Sequence, residues 1–119
     1  MVGMRIALLL VLACLSGWAA AATPRKSQLH GAIAYHTASG SVGWATGHRT
    51  SREAKVEALR QCAHPRCEVV ATVRGGCAAL AKRAKAHAVQ KGATQAEAEA
   101  KALRRCGEGC EIGAWVCTR

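Results

Sequence analysis

Two stretches, TSREAKVEALRQC (Thr50–Cys62) and TQAEAEAKALRRC (Thr94–Cys106), agree at seven of thirteen positions at an offset of 44 residues. In each, a Thr stands three residues before a Glu, Thr50 with Glu53 and Thr94 with Glu97. That is the spacing of a capping box, in which hydroxyl and carboxylate satisfy backbone N–H groups left unpaired where a helix begins. Ala54, Ala58, Leu59 and Cys62, then Ala98, Ala102, Leu103 and Cys106, follow at helical spacing, so each stretch predicts a helix with one apolar face. The same cap, face and terminal cysteine occurring twice mark a duplicated unit.

Outward from these helices the order of elements also repeats. GAIAYHTASGSVGWATG (31–47) has two short apolar runs, Ala32–Tyr35 and Val42–Ala45, around the turn-forming HTASGS, a hairpin pattern. After the first helix AHPR breaks the chain and CEVVATV reads as a strand; after the second, GEG breaks it and CEIGAWVC supplies the strand. Between the units lies CAALAKRAKAHAVQKGA (77–93), whose Ala, Lys, Arg and Gln favour helix by propensity. Its place in the repeat makes it a second hairpin, with Ala78–Ala81 opposite Ala32–Tyr35 in the alignment and VQKGA opposite GWATG. We give the repeat precedence, because a duplicated unit keeps its architecture and alanine alone specifies little. The expected fold is α+β: two tandem β-β-α-β repeats, about 31–76 and 77–119, forming an antiparallel sheet with two helices and held by disulfides.

The first 22 residues read as an address. Arg5 precedes an apolar run from Ile6 to Leu15, and Ala20-Ala21-Ala22 closes the segment as a signal-peptide cleavage site, placed after Ala22 with Ala21 as the alternative. The run is shorter than the roughly 20 residues a membrane helix needs, and no later segment is apolar enough to span. A periplasmic or secreted protein is expected; the competing reading makes Cys14 the attachment point of a lipoprotein. Residues 23–30 (TPRKSQLH) form a flexible lead-in, and 31–119 a single domain.

About 97 residues then remain, with no Phe, one Tyr and two Trp among them. So small a core needs a second source of stability. Six cysteines, at 62, 67, 77, 106, 110 and 117, in an exported domain read as a disulfide framework. This mature part carries 16 Lys and Arg against seven Glu and no Asp, a net charge of about +9 with neutral histidines. Charge of this sign favours anionic partners and speaks to association rather than fold.

The stretches GAIAY, GWATG, AKVEALRQC, CEVV, CAALA, AEAEAKALRRC and WVC together resemble the small exported bacterial family known as domain of unknown function 4189, from Gly31 to Cys117. The resemblance implies the fold and an exported location. It implies no reaction and no catalytic residues. The basic segment around KRAKAH departs from the glycine-rich hairpin of that pattern.

Of the 15 pairings that six cysteines allow, the repeat favours Cys62–Cys67 and Cys106–Cys110 as equivalent bonds, which leaves Cys77–Cys117. The last closes a long loop and contributes about 3 to 4 kcal/mol by chain entropy. Zinc is the rival use, since both local spacings suit it and His64 lies between one pair; export argues against it, and no metal or cofactor is assigned. Without Asp there is no Ser-His-Asp set, and neither a phosphate loop nor a nucleophile elbow is present. His30, His36, His48, His64 and His87 are scattered along the chain. Lys82, Arg83, Lys85, His87 and Lys91 gather around the second hairpin and form the candidate binding patch. Arg104 and Arg105 are accounted for by the helix dipole. The sequence therefore points to a basic, non-enzymatic binding module for an anionic envelope polymer or an acidic protein. A small envelope hydrolase using Glu residues is the alternative, and the near absence of aromatic platforms disfavours nucleic acid.

Overall fold

A computed structural model describes residues 28–119, so the expected leader and cleavage site, Cys14 and most of the expected lead-in lie outside the described residues. The chain runs β1 (His30–Tyr35), β2 (Val42–His48), α1 (Ser51–Cys62), β3 (Glu68–Arg74), β4 (Gly76–Arg83), β5 (Ala86–Gly92), α2 (Gln95–Cys106) and β6 (Glu111–Thr118). This is β-β-α-β twice. Each repeat forms its own antiparallel three-stranded sheet, ordered β2-β1-β3 and β5-β4-β6, so the strands divide into two sheets with one helix each.

Both helices begin at their threonine caps, and Glu97 also accepts from the N–H of Ala93 at 3.3 Å. The N–H of Glu53 donates to Thr50 Oγ1 at 3.1 Å, and that of Glu97 to Thr94 Oγ1 at 3.2 Å. They end differently: Ala63 closes α1 with φ at 55°, whereas Gly107 occupies the equivalent place after α2. A left-handed residue is costly for alanine and free for glycine.

The segment 77–93 is a hairpin, with β4 paired to β5 from Cys77↔Gly92 to Arg83↔Ala86. Strand pairing overrides helix propensity here because β4 is the central strand of its sheet, buried on both faces. Its outer residues Cys77, Ala79 and Ala81 pack under Ala98, Ala102 and Cys106 of α2. Ala32, Ala34 and Ala45 pack under Ala54, Ala58 and Cys62 of α1 in the same way. The two sheets meet through Ile33, Tyr35, Val73, Leu80 and Val116. The layers thus run α1, first sheet, second sheet, α2. Ala79 and Ala81, not Ala78 and Leu80, are therefore the counterparts of Ala32 and Ala34. The alignment read from sequence is one residue out of register, a slip that exchanges the two faces of a strand.

Leu59 and Leu103, expected on the buried faces, are each 37% exposed at their margins. The centre of each helix rests on alanines of its sheet, which leaves the leucines at the edge of the contact. At Gly43 a β-carbon would collide with the carbonyl oxygen of Ala58 and the backbone of Cys62.

The sulfurs of Cys62 and Cys67, Cys77 and Cys117, and Cys106 and Cys110 are bonded pairwise. Cys77 and Cys117 are register partners on β4 and β6, while the two short bridges tie each helix end to the strand that follows.

Two substitutions test this packing in opposite directions. Gly43→Ala should destabilise the domain by about 3 kcal/mol, at the upper end of overpacking, because α1 must lift off β2. Ala63→Gly should stabilise it by about 1 kcal/mol through relief of the left-handed alanine. Denaturant unfolding measures both; a neutral Gly43→Ala would contradict the close helix approach.

Candidate functional site

The β-β-α-β order sends the hairpin turn and the loop after the helix to the same end of each sheet. With two sheets face to face, the β1–β2 turn (36–41), the loop 63–67 and the β4–β5 turn (84–85) converge. The result is a concentration of cationic and histidine side chains around Tyr35. One cavity of about 410 Å³ lies between the two hairpin turns and is lined by Tyr35, Thr37, Arg83, Lys85 and His87. A second, of about 240 Å³, is lined by Tyr35, His36, Arg66, Glu68 and His87.

Of the residues proposed from sequence, Arg83, Lys85 and His87 are exposed at this end. His87 leans on Tyr35, with ring centroids 5.1 Å apart. Lys82 is half-buried: its stem lies where a side chain at Gly113 would go, and its ammonium lies near Gly40 of the opposite turn. Lys91 belongs elsewhere. It sits near the other end of β5, paired with Ala78, and lines a different groove with Lys55.

The structure also adds Arg66 and two of the histidines that look scattered in the sequence. His36 and His64 stack with ring centroids 3.9 Å apart and planes 17° apart. The N–H of Ser39 donates to His36 Nδ1 at 3.3 Å, and that of Arg66 to His64 Nδ1 at 3.0 Å. In each case a ring nitrogen accepts a backbone N–H within its own loop, and Arg66 is brought beside the pair. The sequence signal for this grouping was topological: in such a unit the turn and the post-helix loop share an end.

Partial desolvation first, and then the positive charges of His64 and Arg66, hold the pKa of His36 below the ordinary histidine value; Glu68 pulls weakly upward. Glu68, Glu108 and Glu111 are the acidic residues in the loops and strand ends here. None of the three ion pairs among the described residues involves Arg66, Lys82, Arg83 or Lys85. Glu53, Glu57 and Glu97 are each paired on or beside the helices, with His48, Arg60 and Lys101. What the end offers chemically is a set of hydrogen-bond donors, with Arg66, Arg83 and Lys85 free of ion pairs among the described residues, around one aromatic ring.

Comparison with known proteins supplies a relation but no reaction. The family model described as "Domain of unknown function (DUF4189)" matches residues 30–117. Among solved structures, the chain is similar to the NMR structure of Rv1813c from Mycobacterium tuberculosis. The identity is 27%, over 90% of this chain and 97% of that one, with a TM-score of 0.59. No curated protein matches.

The stacked pair makes stability depend on pH. His36 has a lower pKa in the folded chain than in the unfolded one, so the unfolded chain binds more protons just below the ordinary histidine pKa of about 6.5. Stability should therefore fall as pH drops through that window. Proton NMR should find the His36 midpoint below the ordinary value and moved upward in His64→Gln; a midpoint at or above that value contradicts the stacking.

Proposed function

This chain belongs to the DUF4189 family, and from that premise we propose that it is a non-enzymatic, exported binding module that uses its histidine-rich basic end to hold an anionic envelope polymer or an acidic protein. The carrying observation is the convergence of Arg66, Arg83 and Lys85, with no ion-pair partner among the described residues, beside His36, His64 and His87. Like charges gathered at an exposed end repel one another and contribute nothing to folding. A carboxylate or phosphate ligand would offset that repulsion through charge-assisted hydrogen bonds.

Export supports the reading. The 1–22 leader addresses the chain to the periplasm or the outside, where three disulfides persist in an oxidising environment. Among the described residues no helix is long and apolar enough to cross a membrane.

The net charge of the chain raises the encounter rate with any polyanion, so the test must separate a site from overall charge. Arg83→Gln with Lys85→Gln is the informative variant, since Lys82 has a packing role and is left in place. Unfolding stability should change by no more than about 0.5 kcal/mol, as for most exposed substitutions. Binding to polyphosphate and to purified envelope material should weaken and lose part of its salt dependence. Arg49→Gln with Arg52→Gln removes equal charge near the start of α1 and should bind almost as the parent does. Equal losses in both variants would mean that net charge, and no particular site, is responsible.

A further inference from the structure

The duplication creates two equivalent grooves along opposite edges of the sandwich, and they have diverged in chemistry. One runs where β2 faces β6 and is lined by Trp44, Thr46, Glu99, Ile112 and Trp115, with a volume of about 580 Å³. The other runs where β5 and β3 meet and is lined by Val89, Lys91, Lys55, Val69 and Thr72. These are counterparts position by position: Trp44 pairs with Ile33 as Val89 pairs with Leu80, and Trp115 pairs with Ala79 as Thr72 pairs with Ala32. Glu99 stands on α2 where Lys55 stands on α1, 44 residues earlier. At the four matched positions, where one groove has Val89, Thr72, Lys91 and Lys55, the other has Trp44, Trp115, Thr46 and Glu99.

The tryptophans have no structural duty that accounts for them. Trp44 is 50% exposed and Trp115 44% exposed. They are the two indoles among the described residues of a chain that contains no Phe. Half-exposed indoles forfeit the burial that makes Trp useful to a core. Glu99 is half-buried in the same groove and has no cation within ion-pair distance among the described residues; its polar side-chain contact is the amide of Gln95, which donates to it at 3.0 Å.

We infer that the Trp44–Trp115 groove is a glycan-binding site that takes the pyranose rings of a neutral oligosaccharide. The charge pattern selects the ligand. A carboxylate with no basic residue lining the groove turns away the anionic groups that the histidine end attracts. A small organic cation would suit the indoles and the carboxylate, but it would be repelled by a chain of net charge +10 and would leave most of the groove empty. A neutral sugar meets neither objection. Its apolar C–H face lies on an indole, and its hydroxyls donate to Glu99 and exchange hydrogen bonds with Thr46. β2 and β6 are edge strands, each paired on one side, so they also present backbone N–H and C=O groups along the groove. The volume lies within the range of roughly 300 to 1,000 Å³ usual for small-molecule sites. This site is separate from the basic end and does not depend on it.

Tryptophan emission of the exported chain reads the groove directly, and the probes are the hexamer of N-acetylglucosamine and maltohexaose. A saturable emission change with either sugar, insensitive to salt, is the expected result. Trp44→Ala and Trp115→Ala should each weaken binding about tenfold, the loss expected for one ring-stacking face, measured by calorimetry as well as by the remaining indole. Glu99→Gln should weaken it, and Arg83→Gln with Lys85→Gln should leave it unchanged. The inference is overturned if neither hexamer changes emission at millimolar concentration, or if binding survives both Trp replacements. A response to tetramethylammonium in place of sugar, or a change produced by protein concentration alone, would overturn it equally. The titration of the unmodified chain decides the main point even if a variant fails to fold.

Discussion

Ala54 and Ala58 of the first helix rest on Ala32, Ala34 and Ala45, and Gly43 beneath them has no room for a β-carbon. The second helix repeats the arrangement with Ala98 and Ala102 over Ala79 and Ala81. Such contacts bring backbone close to backbone but remove little apolar area from water, at about 0.8 kcal/mol for each buried methylene-sized group. The domain must find the rest of its stability elsewhere. It does so in the layer between the sheets, where Ile33, Leu80 and Val116 are the largest fully buried side chains, and in the bridge from Cys77 to Cys117 across β4 and β6. Neither repeat has an inner layer without the other, so the duplication makes one core and not two.

The same constraint explains where functional chemistry can reside. Under the middle of each helix the sheet presents alanine and glycine, and the inner layer is apolar, so charge and aromatic surface are displaced to the ends and edges. Loops at one end of both sheets bring Arg66, Arg83, Lys85 and three histidines around Tyr35. Edges carry what is left: lysines along one groove and tryptophans along its counterpart. Equivalent positions with unlike residues are where a duplicated scaffold is free to take on separate tasks, because the packing that both repeats need does not reach them.

Much of the fold was legible in the sequence because the helices announce themselves twice. A Thr-x-x-Glu cap, an alanine face and a terminal cysteine fixed both helices and, with the repeat, the hairpin at 77–93 that composition alone would make helical. The strand register was less legible. A run such as CAALA has Leu80 alone to mark the inner face, and the alignment set that leucine opposite Ala34 instead of its true counterpart Ile33. Leu59 and Leu103 misled for a related reason, since periodicity identifies a face but not how near the neighbouring sheet lies. The gathering of His36 and His64, 28 residues apart, depends on which loops share an end. Lys91 followed the opposite course: close to His87 in sequence, it lies well along β5 from the tip.

Amide chemical shifts during titration with polyphosphate test most directly whether binding belongs to the end of the sandwich or to charge in general. Shifts confined to the β1–β2 turn, the loop at 63–67 and residues 82–87 are the result this account predicts. Comparable shifts at Arg49, Arg52, Lys101, Arg104 and Arg105, spread over the helices, would contradict it.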